Sequence, residues 1–234
     1  MTRILMALGI ALAGLSAGCA STMQARNVQP SGFLGEYRAM LRAGEKEEAL
    51  LRYRNPKVDW ASYDSILLEP VPIWSNPERT FSPDQQRELQ QLVDHFYDML
   101  YLKLSEHYRI VDKPDRGTMR VRAAISHGER SLTGLTFLSK AIPQLRATNA
   151  LWTLRSGKPA FAGEVTIEAI VQDAQTGELL AVGADRRVGG RNLFDEEVFN
   201  SWGDVKNGLE FWTSMAAYRL CLLRGDTACT KPSA

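Results

Sequence analysis

Two segments with alternating side chains restrict the fold more than any other part of the chain. Residues 118–125 and 161–173 each place apolar and polar side chains at successive positions. This is the pattern of a strand that packs one face on a core and shows a polar face. We expect the two strands to pair, with the arginines of the first opposite the glutamates of the second. The inward set is Met119, Val121, Ala123, Ile125, Val165, Ile167, Ala169 and Val171, and the outward charges are Arg120, Arg122, Glu164 and Glu168.

Local signals around these strands predict an α/β (α+β) fold. Asp173 to Gly177 is typical of a hairpin turn, which leads into a strand over 179–188. Ser82 and Pro83 begin an amphipathic helix that runs to about His107. The remaining elements are a buried strand at 65–71, a short strand at 109–111 and a helix from Ser201 to Gly225. The order strand–helix–strand–strand–hairpin–helix predicts a single mixed, mostly antiparallel sheet with helices packed on it.

The N-terminal leader indicates where the protein works. Arg3 precedes an apolar run over 4–15, which is shorter than the about 20 residues needed to cross a bilayer. The small residues before Cys19 resemble the lipobox of bacterial lipoproteins, in which the cysteine receives the lipid. The resemblance implies a signal peptide over 1–18 and a palmitate-bearing Cys19. Because Ala20 rather than Asp follows Cys19, the resemblance also implies that the lipid anchors the protein in the cell outer membrane, on its periplasmic face.

The rest of the chain is expected to be one periplasmic domain on a tether. Residues 19–32 are polar and predict a lipidated N-terminus with a flexible tether, followed by a single domain over 33–234. The formal net charge is +1, and Arg3 in the leader accounts for it. A neutral domain argues against nucleic acid as a partner and against electrostatic binding to anionic lipid. The membrane is therefore engaged through the N-terminal lipid alone.

Two further cysteines remain after Cys19 is assigned to the lipid. Cys221 and Cys229 lie eight residues apart in an oxidising compartment, with Gly225 between them to reverse the chain. A disulfide between them is the favoured interpretation. Two free thiols are the alternative.

Several short motifs resemble those of a bacterial lipoprotein family known as domain of unknown function 3313. The motifs run from residue 31 to residue 187, and the resemblance extends over nearly the whole mature chain. They are Ser31-Gly32-Phe33-Leu34-Gly35-Glu36-Tyr37, Tyr53-Arg54-Asn55-Pro56, Asp59-Trp60, Tyr63, Asp173, Thr176-Gly177-Glu178 and Arg186-Arg187. The resemblance implies a secreted lipoprotein, and it implies no activity, substrate or catalytic residue.

The sequence contains no recognisable catalytic or metal-binding pattern. His95, His107 and His127 have no metal-ligand spacing, and neither HExxH nor GxSxG occurs. Glu164 and Glu168 form the best carboxylate pair, but four residues of strand separate them by roughly 13 Å. Glycosidase carboxyl pairs lie about 5 to 9.5 Å apart. We therefore predict no catalytic residue, no metal and no cofactor, and we interpret the two glutamates as part of a salt-bridged sheet surface.

An apolar insertion at about 131–158 separates the two pairing strands. It carries Leu135, Phe137, Leu138 and Trp152 with few charges. One interpretation is an extra helix that covers a face of the sheet. The other is an exposed surface for a protein partner, a lipid or another copy of the chain.

Two hypotheses of function follow from these observations. The first is a non-enzymatic binding or assembly module that is lipid-anchored in the envelope and faces the periplasm. The second is a cell-envelope hydrolase, in which polar groups such as Asp185, Arg186 and His127 would converge in a concave pocket.

Overall fold

The protein folds around one open, mostly antiparallel sheet. A computed structural model describes residues 22–74, 82–129, 164–189 and 203–232. The strands are β1 Thr22–Gln24, β2 Arg42–Ala43, β3 Leu51–Arg54, β4 Ser65–Leu68, β5 Arg109–Ile110, β6 Thr118–Glu129, β7 Glu164–Asp173 and β8 Leu179–Gly189. Their order is β2-β3-β8-β7-β6-β4-β5, and β1 also pairs with β8. Only β4 pairs in parallel among these strands, with β5 and with β6. The predicted fold class is confirmed.

Two long helices cover one face of the sheet. Helix α1 spans Pro83–Ser105 and helix α2 spans Gly203–Arg224. Helix α1 buries Leu92, Val93, Phe96, Leu100 and Leu104 at the 3.6-residue spacing that the sequence predicts. Gly225 ends α2 with a φ of 87°, a conformation that glycine adopts without steric cost. Short 3-10 segments lie at Gly32–Met40 and Trp60–Ser62.

The pairing of β6 with β7 and the β7–β8 hairpin are confirmed, but the predicted charge pairs across β6 and β7 are wrong. Arg120 and Arg122 lie 3.5 and 3.2 Å from the carboxylate of Glu69. Glu69 directly follows β4, which pairs with the other edge of β6. Glu164 pairs instead with Arg186 on β8 at 2.6 Å. The reason is register, because Ala124 rather than an arginine is opposite Glu168.

The prediction of a flexible tether through residue 32 is also wrong from Thr22 onward. Strand β1 pairs with the end of β8, and Val28, Phe33 and Leu34 pack on the second face of the sheet. They contact an apolar patch on that face formed by Ala124, Ile170, Val182 and Ala184. The residues from 22 to 41, which we call the N-terminal arm, therefore cover the face that was expected to be exposed.

The two glutamates of β7 lie under this arm. Glu164 and Glu168 are both buried, and the backbone N–H of Ser31 donates to Oε1 of Glu168 at 2.7 Å. The interpretation of an open salt-bridged surface is thus corrected, although the Glu164–Arg186 ion pair is present. A carboxylate that accepts a backbone hydrogen bond here fixes the arm to the sheet.

The motif residues around the β7–β8 hairpin make contacts that stabilise the fold. The Tyr63 hydroxyl donates to Oδ2 of Asp173 at 3.0 Å, and burial raises the pKa of Tyr63 to about 12. Oδ1 of Asp173 accepts from the backbone N–H groups of Gln175 and Thr176. Asn55 donates its side-chain amide to Glu178 at 2.9 Å. These contacts tie the tip of the hairpin to the segment that precedes β4.

The predicted disulfide is confirmed, with Cys221 and Cys229 joined and their Cα atoms 5.8 Å apart. We expect Cys229→Ser to lower the free energy of unfolding by about 2 kcal/mol, because the bond closes only a short loop. Urea denaturation with and without reductant measures this. Reductant should destabilise the wild type to the level of the variant and leave the variant unchanged. An equal response of both proteins to reductant would contradict a structural disulfide.

Candidate functional site

A cleft of about 430 Å³ opens between the sheet and the two helices. Its floor is a row of small residues that register brings together across three strands: Ala123 on β6 is opposite Ala169 on β7, which is opposite Gly183 on β8. Side chains in such a row share one face of the sheet. Because none of them projects beyond a methyl group, the helices cannot fill the space above the row.

The roof of the cleft is apolar. Helix α2 contributes Trp212, Ala216, Leu220 and Leu223, and helix α1 contributes Phe96, Leu100 and Leu104. The neighbouring row of the floor consists of Val121, Val171 and Ala181. A largely apolar cavity of this size with few polar groups is the usual form of a small-molecule site.

One side of the cleft carries three arginines, which we call the arginine edge: Arg52, Arg54 and Arg219. The pairing of β3 with β8 explains the position of two of them. Arg52 on β3 is opposite Gly183 on β8, and Arg54 on β3 is opposite Ala181 on β8. They therefore continue the two floor rows to the edge of the cleft. Glu48 is the only acidic residue among the described lining residues, so positive charge is in excess there.

The three arginines differ in how they are held. Arg52 forms an ion pair with Glu48, and Arg219 donates to the backbone carbonyl of Glu47. Burial lowers the pKa of Arg219, because a guanidinium with little water around it is costly to keep charged. Arg54 is exposed. The arginine edge thus combines two guanidinium groups with protein partners, those of Arg52 and Arg219, and one exposed group, that of Arg54.

Helix α2 approaches the sheet closely at Gly208, about one turn before Trp212 in the roof of the cleft. A Cβ atom there would lie 2.7 Å from Cγ1 of the buried Val165. We expect Gly208→Val to lower the free energy of unfolding by about 2 kcal/mol through this clash. Adding Val165→Ala should recover part of the loss, which urea denaturation of both single variants and the double variant measures. Strictly additive effects would show that the two residues do not meet.

Asp185 and Arg187 form a second polar group beneath α2, on the same face of β8 as Gly183 but further along the strand. Asp185 lies on β8 between the residues that pair with β3 and those that pair with β1. Its carboxylate accepts hydrogen bonds from the Leu50 N–H at 3.0 Å and from the Gln24 side-chain amide at 2.7 Å. Burial raises the pKa of Asp185 to about 6. Arg187 donates to Oγ1 of Thr22 at 2.8 Å, and its guanidinium lies 3.6 Å from the ring centroid of Phe211. Asp185 thus holds β1 and the start of β3 to β8, and Arg187 holds β1 and α2 to the sheet.

The structure does not bring together the polar groups named for a hydrolase. Asp185 and Arg186 are consecutive on β8 and point to opposite faces, where they bind Gln24 and Glu164 respectively. The side chain of His127 lies outside the described residues. No serine, cysteine or histidine is among the described residues that line the cleft. The described part of the cleft therefore offers no Ser–His or Cys–His nucleophile–base pair.

Other predicted sites lie outside the described residues or are used otherwise. Cys19 and the insertion at 131–158, with Leu135, Phe137, Leu138 and Trp152, are not described, so these stay predictions. Among the described residues, ligand-type atoms of His107, Cys221 and Asp226 lie within 4.8 Å of one another. Cys221 is in the disulfide, which removes its sulfur as a metal ligand. No helix of the described ranges is long and apolar enough to cross a membrane.

Comparisons with known proteins agree with the motif resemblance. A family model described as "Protein of unknown function (DUF3313)" matches residues 29–216, and a comparison with curated proteins gave no significant match. PelC from Paraburkholderia phytofirmans, solved as a dodecamer, is 10% identical with a TM-score of 0.36, over 75% of this chain and 95% of that one. A DUF330 protein from Xanthomonas campestris is 10% identical with a TM-score of 0.39, over 74% and 91%. A DUF4136 protein from Bacteroides thetaiotaomicron is 9% identical with a TM-score of 0.30, over 70% and 93%.

Proposed function

We propose that this chain, which belongs to the DUF3313 family of proteins of unknown function, is a lipid-anchored, non-enzymatic binding module of the cell envelope. Its binding site is the cleft between the sheet and the two helices. The observation that carries the proposal is the row formed by Ala123, Ala169 and Gly183, which leaves an apolar cleft between the sheet and the two helices in the part of the chain that the structure describes. A well-packed interior leaves few voids larger than a water molecule, so an open apolar space of this size favours an occupant.

The chemistry of the lining favours binding over catalysis. Its floor and roof are aliphatic and aromatic, and three of the four charged residues in its described lining are cations: Arg52, Arg54 and Arg219. Cations at one edge can orient a bound molecule, whereas hydrolysis also needs a nucleophile and a base in contact. The two helices and three central strands that line the cleft are rigid elements, which suits a preformed site.

The proposed anchor would hold this site close to the membrane. Cys19 is the proposed lipidated residue, and only two residues separate it from Thr22, where β1 begins. That spacing spans at most about 10 Å. The sheet would therefore lie next to the periplasmic face of the outer membrane rather than on a long tether.

We expect Cys19→Ala to abolish labelling with radioactive palmitate and to move the protein from the membrane fraction. Stable anchoring requires acyl chains, and the net charge of the domain is too small to replace them. Labelling of cells followed by immunoprecipitation measures this. Cys229→Ser is the matched control and should keep both the label and the membrane association. Unchanged labelling of Cys19→Ala would contradict the proposed anchor.

Photo-crosslinking from two exposed leucines tests the binding site. Leu222 lines the cleft and is 49% exposed, whereas Leu102 on α1 is 63% exposed and does not line it. A photoreactive amino acid at each position, activated in cells, should give a small-molecule adduct at Leu222 and none at Leu102. The mass of the purified protein reports the adduct. Equal adducts at both positions, or none at Leu222, would contradict the proposed cleft function.

A further inference from the structure

We propose that the ligand of the cleft is an amphiphile with one long hydrocarbon chain and an anionic head. The hydrocarbon chain lies along the floor rows, and the head lies at the arginine edge. This inference rests on the proposed function, and it adds the chemical class of the ligand. It commits the site to one kind of amphiphile, with either a carboxylate or a phosphate as the head.

The shape of the cleft fits one extended apolar chain. The row from Ala123 through Ala169 and Gly183 to Arg52 crosses four neighbouring strands. Strands lie about 4.8 Å apart, so the row is roughly 14 Å long from end to end. The side chains of this row are small, whereas the next row carries larger valines at two of its positions. A row of small residues that ends at a cation is suited to a hydrocarbon chain with one polar end.

The lining explains why the buried part would be a hydrocarbon. Apart from Glu48 and the arginine edge, the lining side chains are aliphatic or aromatic, with polar atoms only on Tyr53, Trp60 and Trp212. A polar ligand would lose its hydration there with few partners to replace it. Each methylene buried along the rows should tighten binding about fourfold.

The charges of the edge explain why the head would be anionic. Arg52 and Arg54 extend the floor rows, so they stand at the end of any chain that lies along those rows. A guanidinium fork binds carboxylates and phosphates through paired hydrogen bonds. Glu48 occupies Arg52 in part, whereas no described acid pairs with Arg54. A neutral or cationic head would leave the charge of Arg54 without an acidic partner among the described residues.

Native mass spectrometry of the full mature lipoprotein in a non-ionic detergent tests the inference. The probes are palmitate, hexadecyl phosphate, hexadecanol, hexadecylamine and octanoate. We expect palmitate or hexadecyl phosphate to bind one to one. Hexadecanol should bind at least tenfold more weakly, octanoate at least a hundredfold more weakly, and hexadecylamine most weakly of the C16 probes. The stronger of the two anions identifies the head that the edge prefers.

Three variants separate the ligand class from the cleft itself. Arg52→Gln with Arg54→Gln should weaken binding of the anions about tenfold and leave hexadecanol unchanged, whereas the exposed control Arg116→Gln should change neither. Ala169→Trp should block every probe, with circular dichroism showing that it is folded. If hexadecanol or hexadecylamine binds as tightly as palmitate, the anionic head is wrong and cleft binding stands. If no probe binds, or if folded Ala169→Trp binds as the wild type does, the cleft is not the site and the proposed function fails with it.

Discussion

Asp185→Asn is expected to gain about 2 kcal/mol of stability relative to the wild type as the pH rises from 4 to 7. The Asp185 side chain is only 2% exposed, and burial raises its pKa to about 6 from an ordinary value of 3.8. Hydrogen bonds from Gln24 and Leu50 oppose this rise without cancelling it. Because the folded state holds the proton more tightly than the unfolded state, the wild type receives from Asp185 a contribution to its stability that is fully present only below about pH 4. It loses that stability as the pH rises through 6.

Urea denaturation of both proteins across this pH range measures the effect. The asparagine stays neutral, so its free energy of unfolding should lack this pH dependence. Asp64→Asn is the matched control, since Asp64 is exposed and pairs with Arg109 at the surface. Its effect should stay within about 0.5 kcal/mol. If the wild type instead gains stability relative to Asp185→Asn as the pH rises, the hydrogen bonds and Arg187 outweigh burial, and the assigned direction of the pKa is wrong.

Leu34→Ala is expected to lower the free energy of unfolding by about 3 kcal/mol. Leu34 is almost fully buried between the N-terminal arm and the second face of the sheet, where Ala124 and Ile170 belong to the same cluster. Truncating it leaves a cavity that the small residues beneath cannot fill. Urea denaturation measures the loss, and Leu102→Ala, at an exposed position, should change stability by less than about 0.5 kcal/mol.

The same variant distinguishes the arm from a tether. A flexible tether would tolerate Leu34→Ala with no loss of stability. Hydrogen exchange adds a local test, because the amide of Ser31 donates to Glu168 and should be protected in the wild type. Rapid exchange at Ser31 together with an unchanged stability of Leu34→Ala would show that the arm does not pack on the sheet.

The central strands could be predicted from the sequence because their signals are local. Alternation over 118–125 and 161–173 and the turn ending at Gly177 predict β6, β7 and the hairpin without knowledge of the rest of the fold. Helix α1 was equally accessible, since Ser82 and Pro83 mark its start and its apolar residues recur at helical spacing. In each case the pattern and the structure it predicts lie in one stretch of chain.

The N-terminal arm and the cleft could not be predicted in the same way. Residues 22–32 of the arm include few apolar side chains. The patch that the arm covers includes Ala124 and Ile170, which lie on the same face of the sheet as Arg122 and Glu168. The floor of the cleft depends on register, which aligns Ala123, Ala169 and Gly183 from three separate strands. The available signal was small residues at inward positions of neighbouring strands, which becomes informative only when the pairing is known.

The most direct test of the central claim is the mass of the protein purified from its own envelope under non-denaturing conditions. The wild type should carry one non-covalent adduct with the mass of a single-chain anionic lipid, which organic solvent releases. Ala169→Trp should lack the adduct because the indole fills the floor of the cleft. Tyr101→Trp, which adds an indole at an exposed position of α1, should retain it. A wild type without an adduct, or an adduct of equal abundance on Ala169→Trp, would contradict a ligand in the cleft.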